Sequence, residues 1–434
     1  MASDTDGVVS LSDSSTSGGG PGTTNVTSTM DPTENESTAA NTTDNPDTPP
    51  EDGTDPTCGD GIAVSGIYCY SRVGLSELIR PEQVADFDND GHQDILEQLG
   101  SGFKIVFGDG QGNFPQTFMF IVPEPWSQHI GDTALAGQFD NSPGIDVLTL
   151  GTIDSIKGVV LVLSNDGSGM QFDPLVESIV DMNFQNAVQG AVFDIDSDST
   201  VDLLATSGSQ NQPILIPLLN DGTGTYTLLP PGLSHGDFGA CLVAGVTPIP
   251  AIADSGAGLV AFGASCNGPR PTAFPMQIIR SDGQGTADFF PGPSTGAIPR
   301  GIAAADLDGD SRADLVVWNQ GDASFSIFPG KDNGNFVTGP TIHESDVCAG
   351  CPCPACNNSP VLVRLFATEI DGDGIVDILL TADTTWVGMA PLGTSAWAWI
   401  KGKPLLAGDF NEDGISDFVS RNEQGLIEIL ISNP

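Results

Sequence analysis

One stretch, Asp86-Phe87-Asp88-Asn89-Asp90-Gly91-His92-Gln93-Asp94, constrains this chain more than any other feature, because it returns in recognisable copies. It reads D-x-D-x-D-G-x-x-D and runs into an apolar strand beginning Ile95-Leu96. Four carboxylates within so short a turn repel one another unless a cation neutralises them. A hard cation such as calcium suits them, since it takes six to eight oxygens in flexible geometry. Gly91 allows the sharp bend that a side chain would resist. The opening positions match an EF-hand loop. The last acid, however, comes at the ninth position rather than the twelfth, and strands flank the loop, so an EF-hand is excluded.

The spacing recurs at Asp194, Asp196, Asp198 and Asp202, and again at Asp306, Asp308, Asp310 and Asp314. Glu369, Asp371, Asp373 and Asp377 form a further set, and Asp409, Asn411, Asp413 and Asp417 another. A weakened copy reads Gln138, Asp140, Ser142, Asp146. First positions fall at 86, 138, 194, 306, 369 and 409. The interval from 194 to 306 is twice that from 138 to 194, which predicts a seventh unit midway, over Val243–Gly263, without acids. These counts predict five strong calcium sites, one weak site near Asp140 and none in the fourth unit.

Each unit has a second half: an alternating strand, then a glycine turn such as Gly108-Asp-Gly-Gln-Gly-Asn-Phe114. Relatives of that turn stand at Asn165–Gly169, Asn220–Gly224, Ser281–Gly285 and Lys331–Phe336. A period of about 40–60 residues with strands in every unit signals a propeller or an array. The pairing of acidic loop and glycine turn resembles the FG-GAP and VCBS repeats of integrin-alpha-like β-propellers, over roughly residues 80–434. The resemblance implies an all-β, seven-bladed β-propeller whose inter-strand loops bind calcium and one of whose faces binds a ligand.

Charge bounds the partners. The chain carries 57 acids against 13 bases, a net charge of −44. Residues 1–57 hold 11 acids and no base, which leaves 46 acids beyond them, and 21 of these occupy the loop positions named above. Much of the negative charge is therefore metal-facing. Such a balance argues against nucleic acid, whose phosphates demand a basic face, and against docking on anionic lipid. Residues 1–57 are rich in Ser, Thr, Gly, Pro, Asp and Asn, cannot bury a core, and are expected to be a disordered linker. The sequence contains no signal peptide or transmembrane run. The linker looks like the spacer behind a removed export signal or a lipid anchor, which points to an extracellular or outer-surface location.

Eight cysteines fit an oxidising compartment. Cys58 and Cys69 are expected to close a small loop, and Cys241 and Cys266 to staple the metal-free fourth unit. Cys348, Cys351, Cys353 and Cys356 form a Cys-rich insertion at 341–360. Disulfides there are favoured over zinc, because zinc ribbons separate their cysteine pairs by more residues.

Strands are expected at Phe103–Phe107, Val159–Leu163, Ile214–Leu219, Met276–Ile279, Phe325–Phe328 and Ile427–Ile431, with a short helical turn at Leu75–Arg80. The ordered domain spans 58–434, and 58–80 forms its lead-in. The last unit is one strand short, so Ile67–Val73 is expected to join it as the outer strand and close the ring.

Catalytic motifs fail on context. Gly292-Pro293-Ser294-Thr295-Gly296 matches G-x-S-x-G, but the prolines around it rule out the strand–turn–helix of a nucleophile elbow. The histidines at 92, 129, 235 and 343 are isolated, and the His92 ring is expected to face solvent. Trp126, Trp386, Trp397 and Trp399 could form an aromatic platform, though core packing is the simpler role. The expectation is a non-enzymatic, monomeric binding or adhesion module for a protein or glycan at a bacterial surface. A lectin-like carbohydrate binder and an accessory domain of an extracellular hydrolase are the alternatives.

Overall fold

The computed structural model describes residues 69–433, together with Cys58 and Ala63. Excepted are 76–77, 129–130, 132, 154–156, 181–186, 197, 210–211, 229–240, 253–255, 267–275, 282–286, 333, 344–363, 382–384, 389–396 and 401. The linker 1–57, the cysteines at 348, 351, 353 and 356, and His129 and His235 thus lie outside the described residues.

The molecule is all-β and arranged as a β-propeller. Among the described residues the sole helical element is a single 3-10 turn at Trp126–Gln128. The strands form seven antiparallel sheets of four. The first comprises Pro81–Ala85, Asp94–Leu99, Gly102–Phe107 and Gln116–Ile121, paired in chain order. The next five follow the same up-and-down order across 133–180, 187–228, 241–291, 299–343 and 364–400. The seventh consists of Lys403–Gly408, Asp417–Arg421 and Ile427–Ser432, with Tyr70–Gly74 added at its outer edge. Tyr70 lies opposite Ser432 and Gly74 opposite Glu428. The first and last strands of the described residues therefore share one sheet, and of the expected closing strand residues 67–68 lie outside the described residues. In the segment expected to form a short helical turn, Leu78 N–H donates to the Leu75 carbonyl (3.2 Å), and residues 76–77 lie outside the described residues.

Why the middle strands read as unbroken apolar runs is clear from their burial. In the first sheet, all six residues of Gly102–Phe107 are buried, whereas the outer strand Gln116–Ile121 exposes alternate residues. Neighbouring sheets cover both faces of a middle strand, so its hydrophobicity need not alternate. The core lies in the seams between sheets. Phe103, Ile105 and Phe107 of the first sheet pack with Ala134, Leu161 and Phe172 of the second. Phe103 and Phe172 meet edge to face at 4.8 Å, a geometry worth about 0.5–1.5 kcal/mol beyond the area it buries. The seventh sheet packs back on the first through Leu406, Phe410 and Ile429 against Val84, Ile95 and Val106.

Polar contacts reinforce that last seam. Glu97 and Lys104, opposite each other in the first sheet, form a buried ion pair at 2.5 Å. Glu97 also accepts the backbone N–H groups of Ile79 and Arg80, and Arg421 of the seventh sheet donates to the Ile79 carbonyl (2.8 Å). Arg72 pairs with Glu428 across the closing strands. A disulfide joins Cys58 to Cys69 at the start of this segment, with Cα atoms 5.4 Å apart.

The fourth sheet opens with the hairpin Cys241–Ile252 and Gly256–Cys266, where the expected acid-free unit was placed. Its register sets Cys241 opposite Cys266. Gly292–Gly296 connects the fourth sheet to the fifth, as a linker rather than an elbow.

Candidate metal centres

Every acidic loop joins the first strand of a sheet to the second, so the loops occupy equivalent places around the molecule. Their construction starts from the second position, an apolar residue in all six: Phe87, Phe139, Ile195, Leu307, Ile370 and Phe410. All six are buried. Sequence reasoning concentrated on the acids and passed over this residue, although its recurrence is visible in the sequence.

The ninth-position aspartate then ties the loop down. One carboxylate oxygen accepts the N–H of the second residue: Phe87 to Asp94 at 2.8 Å, Phe139 to Asp146 at 2.9 Å and Ile195 to Asp202 at 2.7 Å. Leu307 to Asp314, Ile370 to Asp377 and Phe410 to Asp417 repeat the bond at 3.1, 3.1 and 2.6 Å. In five of the six, the other oxygen accepts a backbone N–H at the end of the third strand, from Gly108, Asn165, Asn220, Gly330 or Ser432. Buried this deeply, the acids resist ionisation. Burial pushes Asp94 up to about 8, Asp202 and Asp417 to about 7 and Asp146 to about 6.

The first-position carboxylate folds the loop over itself. Asp86 accepts the N–H groups of Asp90 (3.2 Å) and Gly91 (3.0 Å), and Asp194, Asp306 and Asp409 accept the equivalent pairs. Fifth-position acids accept from the seventh residue, as His92 donates to Asp90 at 2.8 Å. Such turns need positive φ, and Gly91 (95°), Gly374 (82°) and Gly414 (85°) supply it.

Four loops bring three carboxylates together with ligand oxygens within 4.8 Å of one another. The trios are Asp86, Asp88 and Asp90; Asp194, Asp196 and Asp202; Asp306, Asp308 and Asp314; and Glu369, Asp371 and Asp377. Asp94, Asp198, Asp310 and Asp373, expected as ligands, stand outside these trios. Asp310 turns to Arg312, which also reaches Asp332 at 2.9 Å. The Asp409 loop forms no such trio among the described residues. Its Asn411 amide donates to Asp413 (3.0 Å), and Ser432 Oγ donates to the same carboxylate (2.6 Å). Nor does the Gln138 loop, where a weak site was expected.

These trios fit a hard divalent cation. All donors are carboxylate oxygens, and burial raises the pKa values of Asp86, Asp88, Asp196, Asp314 and Glu369 from their ordinary values, an expense that a cation offsets. In the sixth sheet, Glu369 Oε2 is buried with no hydrogen-bond partner within the chain, a place that a cation would fill.

The His92 ring, expected to face solvent, lies at the surface and there meets Glu412 of the seventh sheet's loop at 2.5 Å. That hydrogen bond raises its pKa. Other loops also touch their neighbours. Asn165, fully buried, donates to Phe87 O (2.7 Å) and Ile145 O (3.0 Å) and accepts from Gly167 N (3.0 Å) and Gly169 N (3.2 Å). Asn220 repeats all four bonds, to Phe139 O, Val201 O, Gly222 N and Gly224 N. The glycine turn of one sheet is thus clamped to the acidic loop of the sheet before it. Of the tryptophans considered for a platform, Trp386 lies opposite Trp399 in the sixth sheet, and the side chains of Trp386, Trp397 and Trp399 are outside the described residues.

No family model and no curated protein matches the chain. Among solved structures, a protein from Lactobacillus plantarum is similar at 9% identity and a TM-score of 0.46, over 82% of this chain and 97% of that one. The periplasmic gluconolactonase of Pseudomonas aeruginosa is similar at 12% identity and 0.41, over 81% and 96%. The Tc holotoxin pore of Photorhabdus luminescens matches at 15% identity and 0.41 over 78% of this chain, which spans 15% of that chain's length.

Proposed function

We propose that this chain is a seven-bladed, calcium-stabilised β-propeller of the FG-GAP/VCBS type, acting as a non-enzymatic binding or adhesion module outside the cell. The observation that carries the reading is the recurrence of three converging carboxylates at the same place in four of the seven sheets. Repetition argues for a structural cation rather than a catalytic one, because a reaction needs one site whereas a repeated scaffold can use the same cation-bound turn in several repeats. Asp86, Asp88 and Asp90, Asp194, Asp196 and Asp202, Asp306, Asp308 and Asp314, and Glu369, Asp371 and Asp377 would hold the ions. The acids at 94, 198, 310 and 373 would orient them or complete their shells. Calcium is favoured over magnesium because carboxylates on flexible loops suit seven- or eight-fold coordination better than a small octahedron. The Cys58–Cys69 disulfide and the opposition of Cys241 and Cys266 support an oxidising, extracellular setting.

With the ions in place, the loops form one rigid face of the propeller on which a protein or glycan ligand can rest. Native mass spectrometry under calcium titration tests the metal reading: four or more ions are expected, and one or none rejects it. A glycan array and a panel of extracellular proteins, each with calcium and with chelator, test the binding role. Hydrolysis of a glycan or ester by the purified chain would replace it with the accessory-enzyme reading.

A further inference from the structure

The second sheet's loop departs from the others in two independent ways. The acid-rich loops turn through positive φ at the fourth and sixth positions: Asn89 (58°) and Gly91 (95°), Gly309 (77°) and Ser311 (65°), Gly372 (79°) and Gly374 (82°), Glu412 (59°) and Gly414 (85°). In the third, Ser199 does so at 75°. Asn141 and Pro143 hold these positions in the second loop, and neither has positive φ. Pro143 cannot, because its ring locks φ near about −65°. The backbone therefore follows another path.

The first position is also reversed. Asp86, Asp194, Asp306 and Asp409 accept backbone N–H groups there. Gln138 instead donates: its side-chain amide nitrogen reaches the carbonyls of Asp140 (3.1 Å) and Ser142 (2.5 Å). The remaining acids are bound within the chain. Asp140 accepts Ser142 N (2.5 Å), while Asp146 accepts Ser142 Oγ (3.1 Å), Phe139 N (2.9 Å), Asp140 N (3.2 Å) and Asn165 N (2.8 Å).

We infer that the second loop takes no cation, and that the Gln138 amide occupies the place of one, gathering loop oxygens by hydrogen bonds as a metal gathers them by coordination. The donor set does not fit calcium: two acids remain, the loop carbonyls already have an N–H donor, and the proline forbids the cation-binding turn. The second sheet then keeps its shape whatever the calcium concentration. Through Asn165 and Asn220 it clamps the seams to the first and third sheets, so it is the calcium-independent anchor beside two calcium-dependent neighbours. The inference rests on the calcium reading of the other loops, and its test separates the two.

The experiment measures backbone hydrogen exchange of the whole chain with added Ca²⁺ and with chelator, and counts ions by native mass spectrometry. In the unmodified protein, exchange over 139–146 is expected to be the same in both conditions, while 86–94 slows about tenfold or more with Ca²⁺. Gln138→Ala should speed exchange over 139–146 about tenfold in both conditions, with no change in ion count. The triple variant Gln138→Asp, Ser142→Asp, Pro143→Gly rebuilds an acidic loop and should bind one ion more than the parent. Calcium protection of 139–146 in the parent, or unchanged exchange in Gln138→Ala, overturns the inference. If no loop responds to Ca²⁺, the calcium reading falls, and the Gln138→Ala result still decides whether the amide holds its loop.

Discussion

Replacing Asn165 by alanine tests how the sheets are held together. Its side chain is fully buried and makes four hydrogen bonds, two donated to Phe87 O and Ile145 O and two accepted from Gly167 N and Gly169 N. Alanine removes all four partners and leaves two carbonyls and two N–H groups without one. A net hydrogen bond contributes roughly 0.5–1.5 kcal/mol, and a buried group left unsatisfied costs more, so the variant should lose about 3–5 kcal/mol. Asn165→Asp keeps the shape but points a second oxygen at the two carbonyls, so it should cost at least as much as alanine. Asn113→Ala is the control: Asn113 is exposed and bonded within its own turn, and its loss should cost under about 0.5 kcal/mol. Urea unfolding at fixed calcium, with the slope checked for constancy, reads the difference. A loss under about 1 kcal/mol for alanine, or an aspartate variant as stable as the parent, would refute the clamp.

Further expectations concern charge and closure. Asp94, Asp202 and Asp417 have folded-state pKa values raised to about 8, 7 and 7, so between pH 4 and 8 the folded ion-free protein binds more protons than the unfolded chain. Its stability should therefore fall as pH rises through that window, and calcium should offset the fall, widening the gap between loaded and ion-free melting curves towards pH 8. Parallel curves would contradict it. Lys104→Met strands the buried Glu97 carboxylate and should cost about 3–5 kcal/mol, while adding Glu97→Gln should recover more than half, measured by a double-mutant cycle. Deleting residues 1–57 should leave the melting temperature unchanged. Deleting 1–74 removes the strand Tyr70–Gly74, bares the edge of Ile427–Ser432 and should promote aggregation by light scattering, and equal solubility would count against ring closure by that strand.

Much of this architecture was legible in the sequence because it repeats. The acid spacing marks the turn between the first and second strands of each unit, and the interval between copies exposed the acid-free fourth unit. The missing strand of the last unit pointed to the chain's beginning. Each inference uses local chemistry: like charges close in sequence need a turn and a cation, and glycine permits positive φ. The buried second-position residues were equally local and went unread.

What the sequence could not decide is what each loop side chain faces, because the partner lies in another sheet. His92 meets Glu412, 320 residues away, and Asn165 reaches Phe87 across a seam. Whether a ninth-position acid joins a carboxylate trio, as Asp202 does, or stays outside one, as Asp94 does, depends on ångström differences in the turn. The Gln138 loop shows the limit most plainly. Its letters read as a weakened copy of the others, yet a proline-set backbone turns its amide inward as a donor. Spacing along the chain specifies which groups can meet; the packing of sheet on sheet decides which of them do, since hydrogen bonds and coordination depend on direction and distance that no spacing encodes.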